Sequence, residues 1–436
     1  MIKKVKIIGA GLAGCEAAYQ LSKRGVETEL YEMRPKRMTP AHRTGNFAEL
    51  VCSNSLKSED VETSSGLLKE ELRIMDSLIL KCADKTRVPA GSSLSVDREG
   101  FSLKVKEELL KRDIKIICEE VKDIDGESIW IVASGPLTSE PLTRSIERLT
   151  GKNTLYFFDA AAPIVAADSI DTDNAFFASR YGKGEADDYL NCPMNKEQYS
   201  AFYEALVSAD CSPVKDFEGS EVFSGCMPVE VMAKRGFDAI RFGPMKPVGL
   251  YDKNNVRPYA VVQLRKENRE ATMYNLVGFQ THLTFGEQKR VFSMIPALKN
   301  AEFLRYGVMH RNSFVNAPAI LTNTFALKTG ERKNIFIAGQ LSGVEGYVES
   351  AMSGLVASIN AANTLMNKPP FILPATTISG ALSKYISESD SRYFQPMNGN
   401  YGLLPPIEIK DKKLRKSAYA ERALNDLKVM LTEGRN

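Results

Sequence analysis

A glycine-rich turn close to the start of the chain is the sequence feature that most constrains the fold. Val5 to Ile8 is a short apolar run that leads directly into the turn Gly9-Ala10-Gly11-Leu12-Ala13-Gly14. Apolar residues then recur at helical spacing, and the stretch from Thr28 to Glu32 has β character. This order predicts a strand–helix–strand unit about 30 residues long, as found in α/β folds with a parallel sheet.

The spacing of the three glycines is typical of a dinucleotide-binding turn. The first glycine permits the tight turn, the second lets the backbone approach a pyrophosphate, and the third lets the helix pack closely on the strand. Phosphate then lies at the helix N-terminus, where unpaired N–H groups favour an anion. Glu32 follows Gly14 by 18 residues, where a carboxylate can accept the hydroxyls of an adenosine ribose. The predicted nucleotide-binding residues are Gly9, Ala10, Gly11, Leu12, Ala13, Gly14 and Glu32.

A second motif near the other end of the chain favours FAD over NAD. The run from Asn334 to Ala338 reads as a buried strand, and it leads through Gly339, Gln340 and Gly346 into a predicted helix from Ser350 to Asn363. Two-part FAD domains use a late strand and helix N-terminus of this kind to hold the flavin side of the cofactor. We therefore add Gly339, Gln340 and Gly346 to the predicted FAD contacts.

These motifs predict an α/β protein with a Rossmann-like FAD-binding domain built from both ends of the chain. Residues 1–150 and 315–436 would form this discontinuous domain. Between them, residues 151–314 change to short β-like runs separated by glycine and proline, which indicates an inserted α+β domain that carries substrate chemistry.

Composition excludes several other classes of protein. Hydrophobic residues make up 43% of the chain and charged residues 25%, as in ordinary globular proteins, and the net charge of +3 gives no strong field. No apolar run approaches the length of a membrane span, and the lipoprotein-like string Leu12-Ala13-Gly14-Cys15 has too short an apolar stretch before it. The seven cysteines contain no CxxC pair, which argues against disulfides and metal sites and favours a reducing cytoplasm.

Five strings spread along the whole chain identify a family resemblance. GAGLAGCEAA, NFAELVCSNSLKS, GCMPVEVMA, NLVGFQTHL and IFIAGQLSGVEGYVESA resemble the folate- and FAD-dependent tRNA (uracil-5-)-methyltransferases, small relatives of the GidA flavoproteins. The resemblance implies that 5-methyluridine forms in the T loop of tRNA. It also implies 5,10-methylenetetrahydrofolate as the carbon donor, passed by way of the flavin, and NADPH or NADH as the reductant.

Two cysteines and a tyrosine are the catalytic residues that the resemblance implies. Cys226 follows a glycine and precedes Pro228, which suggests an exposed loop leading into a helix, where a thiol becomes more nucleophilic. Its thiolate would add to uracil C6 and so activate C5. Cys52 would lie against the flavin, where it guards the one-carbon unit or removes the C5 proton, and Tyr347 would lie beside it.

Further residues are candidates for binding folate or RNA. His282 could stack on the pterin or hydrogen-bond to it, although a packing role explains a buried histidine equally well. Cations near the Cys226 segment could hold phosphates, and a solvated charged face is the alternative explanation. These cations are Lys234, Arg235, Arg241, Lys246, Arg257 and Arg265.

Three alternative functions remain open from the sequence. The same chemistry could act on a uridine of ribosomal RNA. A flavin oxidoreductase for a small molecule would explain the nucleotide motifs and leave the two cysteines without a role. A GidA-like RNA-binding scaffold could hold FAD for structural reasons. A methyltransferase that uses S-adenosylmethionine is disfavoured, because it would leave the late FAD-type motif unexplained.

Overall fold

The computed structural model describes residues 4–151, 154–160, 162–180, 185, 188–212, 227–307, 309–328 and 334–433. In these ranges the strands are β1 (Lys4–Ile8), β2 (Glu27–Tyr31), β3 (Ser55–Ser58), β4 (Arg87–Val88), β5 (Ser93–Val96), β6 (Lys115–Ile117), β7 (Ile129–Val132), β8 (Thr154–Ala160), β9 (Ile164–Ala166), β10 (Phe176–Phe177), β11 (Tyr189–Met194), β12 (Ala260–Lys266), β13 (Met273–Leu276), β14 (Phe303–Arg305), β15 (Met309–Val315) and β16 (Ile335–Ile337). The helices are α1 (Leu12–Lys23), α2 (Ser64–Ile74), α3 (Leu78–Lys85), α4 (Arg98–Leu110), α5 (Glu140–Thr150), α6 (Lys196–Val207), α7 (Val229–Ala233), α8 (Ala239–Phe242), α9 (Phe285–Phe292), α10 (Ala317–Ile320), α11 (Tyr347–Leu365), α12 (Ile378–Glu388) and α13 (Lys412–Glu433).

A five-stranded parallel sheet forms the centre of the first body of the structure. Its order is β16-β7-β1-β2-β6, so strands from both ends of the chain lie side by side. Strands buried on both faces are expected to be continuously apolar, and Ile129 to Val132 is buried at every position. The predicted α/β fold with a Rossmann-like sheet is confirmed.

Helices α1 and α11 pack against each other beside this sheet. Gly354 of α11 lies so close to α1 that a Cβ atom there would come within 2.2 Å of the Ala13 carbonyl oxygen. The glycine at position 14 serves a similar purpose, since a Cβ atom there would lie 1.8 Å from the carbonyl oxygen of Gly9. These contacts bring the N-termini of the two helices to the same side of the sheet.

The middle of the chain forms a second sheet with its own hydrophobic core. Six strands pair in the order β10-β11-β12-β13-β9-β14, and every pairing is antiparallel. Strand β8 precedes this region in the sequence and strand β15 follows it, and the two strands pair antiparallel with each other. The domain boundaries at residues 151 and 314 stay a prediction, and strand β15 runs across the second of them.

A small sheet of order β3-β5-β4 lies next to the loop that carries Cys52. The final helix, α13, contributes Leu427 and Ala423 to the first hydrophobic core. Among the described residues, none of the helices combines the length and the apolar character needed to cross a lipid bilayer.

Candidate active site

The glycine turn and the start of α1 form one wall of a cavity of about 420 Å³. Gly9 has a φ of 95°, a left-handed conformation that favours glycine. The amide of Cys15 donates to the Gly11 carbonyl at 2.9 Å, which begins the helix. Gly11 is the N-cap and has no side chain to accept from the first N–H groups of α1. The positive end of this helix is therefore open to an anion in the cavity.

Glu32 lies at the end of β2, directly across from the turn. Its Oε2 accepts the backbone N–H of Ala10 at 2.8 Å, and its Oε1 accepts from Arg34 Nε at 3.0 Å. Burial alone would raise the pKa of the Glu32 carboxyl, but the hydrogen bond and charge of Arg34 outweigh burial and lower it. The carboxylate is thus ionised and fixed at the cavity wall. Sequence reasoning missed Arg34, whose only signal was a cation two residues after the acid.

The late glycine motif forms the opposite side of the same cavity. The Gly339 amide donates to Ser353 Oγ at 2.7 Å, which ties the turn after β16 to α11. Gly346 is the N-cap of α11, and this cap also lacks a side-chain acceptor. Gly339, Gln340 and Gly346 all line the cavity, so two helix N-termini open into one space. Such an arrangement suits a ligand with phosphates and a long polar chain.

Cys52 and Tyr347 meet at this cavity although 295 residues separate them. The Tyr347 hydroxyl oxygen accepts the backbone N–H of Cys52 at 2.8 Å and that of Ser53 at 3.3 Å. Burial and the nearby Cys52 sulfur raise the pKa of the Tyr347 phenol, so it remains neutral at physiological pH. Both side chains line the cavity that the nucleotide motifs surround.

The cavity unites most of the residues predicted to bind the cofactor. Ala10 and Gly14 do not line the cavity. Ala10 instead donates its backbone N–H to Glu32, and Gly14 allows the close packing against Gly9 described above. The predicted residues that do line it are Gly9, Gly11, Leu12, Ala13, Glu32, Cys52, Gly339, Gln340, Gly346 and Tyr347.

The structure places His282 away from this cavity wall. Its Nδ1 lies 2.5 Å from Glu230 Oε1, and Glu230 also accepts from Thr281 Oγ1 at 2.8 Å. Burial lowers the pKa of His282, but hydrogen bonds to Cys211 and Glu230 outweigh it and raise the pKa to about 9. Donor atoms of Cys211, Glu230 and His282 lie within 4.8 Å of one another. At 2.5 Å, His282 Nδ1 and Glu230 Oε1 are closer than the roughly 3.3 Å that separates two such ligands on a tetrahedral zinc ion, and they form an ion pair when the ring is protonated.

The predicted RNA-binding cations occupy two different environments. Lys234, Arg235 and Arg257 are exposed, as a phosphate contact requires. Arg265 is only 6% exposed, and its guanidinium donates to Asn54 Oδ1 and Ser53 Oγ next to Cys52. Arg265 therefore faces the Cys52 loop and not an exposed RNA surface. Cys226 lies outside the described residues.

Comparisons with known proteins agree with one another. The sequence profile of the family "Glucose inhibited division protein A" matches residues 4–369. A protein of Acetivibrio thermocellus named methylenetetrahydrofolate--tRNA-(uracil-5-)-methyltransferase TrmFO is 56% identical over 98% of both chains. A protein of the same name from Listeria monocytogenes is 55% identical over 99% of this chain and 100% of its own. The structure of Aquifex aeolicus GidA superposes with a TM-score of 0.67 at 17% identity, covering 100% of this chain and 79% of that chain.

Proposed function

Since the chain belongs to the GidA family and to its methylenetetrahydrofolate--tRNA-(uracil-5-)-methyltransferase members, we propose that it forms 5-methyluridine in the T loop of tRNA. The carbon donor is 5,10-methylenetetrahydrofolate, the cofactor is FAD, and NADPH or NADH supplies the electrons. We also propose a cytoplasmic location, because a tRNA substrate is found in the cytoplasm.

One observation supports this function above the others: a single cavity contains both nucleotide-binding motifs and the Cys52–Tyr347 pair. A flavin oxidoreductase for a small molecule needs the motifs but gives Cys52 no task. The cavity is also lined by Gln280, whose carbonyl accepts the amide of Val229 at 2.7 Å. Val229, which follows Cys226 by three residues in the sequence, is thereby held next to this cavity.

The residues at the cavity fit FAD. No atom lies within 4 Å of where a Cβ on Gly11 would project, which leaves room for a pyrophosphate at the start of α1. Glu32 provides the carboxylate for the adenosine ribose, and the N-terminus of α11 provides a second set of unpaired N–H groups. When bound, FAD supplies the redox capacity that converts a methylene unit into a methyl group.

The protein residues then divide the work on uracil. The Cys226 thiolate adds to C6, which forms a C–S bond and places the electron pair on C5 and its neighbouring carbonyl. C5 forms a bond to the one-carbon unit as the C–N bond from that carbon to its donor breaks and leaves its electron pair on nitrogen. A hydride equivalent, supplied ultimately by NADPH or NADH, completes the methyl group. Cys52 accepts the C5 proton, and the electrons of the broken C–H bond expel the Cys226 thiolate from C6. Lys234, Arg235 and Arg257 would hold the RNA backbone on the exposed side.

A trapping experiment tests the nucleophile and the class of RNA together. With 5-fluorouridine in place of the target uridine, the C5 substituent cannot leave as a proton does, so the C6–S bond persists. The purified holoenzyme, incubated with the folate and NADPH, should form a covalent complex with fluorinated tRNA and none with a fluorinated ribosomal RNA fragment. Cys226→Ala should abolish the complex, and the matched variant Cys211→Ala should retain it. A covalent complex with the ribosomal RNA fragment alone would show that the substrate is ribosomal RNA and not tRNA.

A further inference from the structure

Three arginines surround the loop that carries Cys52. Arg98 donates through Nη1 to the Leu50 carbonyl, and Arg305 donates through Nη2 to the Val51 carbonyl. Arg265 donates to Ser53 Oγ at 2.7 Å and to Asn54 Oδ1 at 3.0 Å. Arg98 begins α4, Arg265 belongs to β12, and Arg305 ends β14. Both bodies of the structure therefore contribute to the contact. We call Arg98, Arg265 and Arg305 the arginine clamp.

The clamp carries more positive charge than its neighbours neutralise. Glu267 forms an ion pair with Arg98 at 2.9 Å. Within the described part of the chain, neither Arg265 nor Arg305 has a carboxylate oxygen within 4.0 Å, and Arg305 Nε is a buried donor with no hydrogen-bond partner. Burial and the nearby Arg98 and Arg43 lower the pKa of Arg305 to about 10. Buried guanidinium groups in this state are stabilised by a nearby anion.

Among the described residues, the other ionisable groups near the loop form no ion pair with Arg265 or Arg305. Tyr347 stays neutral, as described above, because burial raises the pKa of its phenol. Across the cavity, Lys57 lies 3.5 Å from Glu349, and this pair adds no net charge. Glu345 accepts a hydrogen bond from Gln340 at 2.7 Å. Cys52 lies within the loop that the clamp holds, with Arg98 Nη2 3.5 Å from its carbonyl oxygen, and a negative charge on its sulfur would favour the charged form of all three arginines.

We infer that the arginine clamp holds Cys52 as a thiolate at the flavin side of the cavity, with Arg305 and Arg265 as positioning residues. The hydrogen bonds of the clamp and of Tyr347 fix the backbone of the loop. The guanidinium groups of Arg265 and Arg305, which have no carboxylate oxygen within 4.0 Å among the described residues, stabilise the negative sulfur. A thiolate in this position is ready to accept the C5 proton of uracil without help from another base. The inference rests on the proposed flavin site but not on the RNA substrate.

The test measures the ionisation of Cys52 in the oxidised FAD-bound enzyme, without RNA or folate. Iodoacetamide alkylation of Cys52 is followed by peptide mass spectrometry between pH 5 and 9. Long-wavelength flavin absorbance, which a thiolate beside the flavin produces by charge transfer, is recorded over the same range. An ordinary thiol titrates near pH 8.5, so we expect a wild-type midpoint at least about one unit lower, common to both signals. The absorbance band should vanish in Cys52→Ser.

Substitutions at Arg305 separate charge from packing. Arg305→Gln keeps a donor for the Val51 carbonyl and removes the charge, so alkylation at pH 6.5 should fall about tenfold, which equals one unit in the midpoint. Arg305→Lys keeps the charge and should stay close to wild type. Arg269→Gln is the matched control, because Arg269 also donates to a backbone carbonyl, that of Lys85 at 2.8 Å, outside the clamp.

Two outcomes would overturn the inference. One is a wild-type Cys52 that titrates like an ordinary thiol. The other is an Arg305→Gln variant that binds flavin normally and keeps the wild-type pH profile. Because no RNA is present, neither outcome bears on whether the enzyme methylates tRNA. Conversely, an absence of methyl transfer would leave the measured ionisation of Cys52 valid.

Discussion

Glu32 illustrates how a single side chain joins sequence motif and site. Its carboxylate accepts from Ala10 and Arg34 and lies at the cavity wall. Glu32→Gln removes a charged acceptor, and hydrogen bonds to charged groups contribute about 1.5–3 kcal/mol. We expect FAD affinity to fall at least about tenfold, measured by the fluorescence of released flavin. Glu27→Gln, on an exposed position of the same strand, is the control. Equal affinities in the two variants would contradict this role of Glu32.

His282 should give the protein a pH-dependent contribution to stability. Its folded-state pKa of about 9 lies above the ordinary value of 6.5. The contribution of the protonated ring is therefore complete below pH 6.5 and disappears as the pH rises through 9. His282→Gln should lower the free energy of unfolding by up to about 3 kcal/mol at pH 6 and by much less at pH 9.5, measured by urea unfolding. If the difference in unfolding free energy between wild type and His282→Gln did not change with pH, a charged His282–Glu230 pair would be ruled out.

At the level of elements, the contact between α1 and α11 controls the cavity. A side chain at Gly354 would collide with the backbone of Ala13 and push the two helix N-termini apart. Gly354→Val should cost about 1–3 kcal/mol of stability and weaken flavin binding, as thermal unfolding and flavin content would report. Gly286→Ala on α9 meets no atom within 4 Å and should be neutral or slightly stabilising. Retained flavin binding in Gly354→Val would show that the helix contact is not needed.

The sequence predicted the elements whose signals are local. The predicted strands at 5–8 and 28–32 are observed at Lys4–Ile8 and Glu27–Tyr31, because glycine spacing and apolar runs define them within a few residues. The helix predicted from Ser350 starts earlier, at Tyr347, since the N-cap is Gly346. The arginine clamp could not be predicted. Its contacts join residues up to 254 positions apart in the sequence. The sequence around an arginine in a strand does not indicate which distant carbonyl its guanidinium will contact.

At the scale of the whole molecule, two hydrophobic cores meet where the chemistry is expected. One core belongs to the parallel sheet and its helices, and the other to the six-stranded antiparallel sheet. The Cys52 loop comes from the first body, while Arg265 and Arg305 come from the second. A site at such a junction can combine a cofactor from one side with a nucleic acid from the other.

Methyl transfer by the intact enzyme tests the central claim most directly. The purified FAD-bound protein is mixed with unmodified tRNA, NADPH and 5,10-methylenetetrahydrofolate labelled in its methylene carbon, and the labelled nucleotide is identified. We predict label at C5 of a T-loop uridine, and no label with Cys226→Ala despite normal flavin content. Wild-type enzyme that holds flavin reducible by NADPH but transfers no label to tRNA would contradict the account.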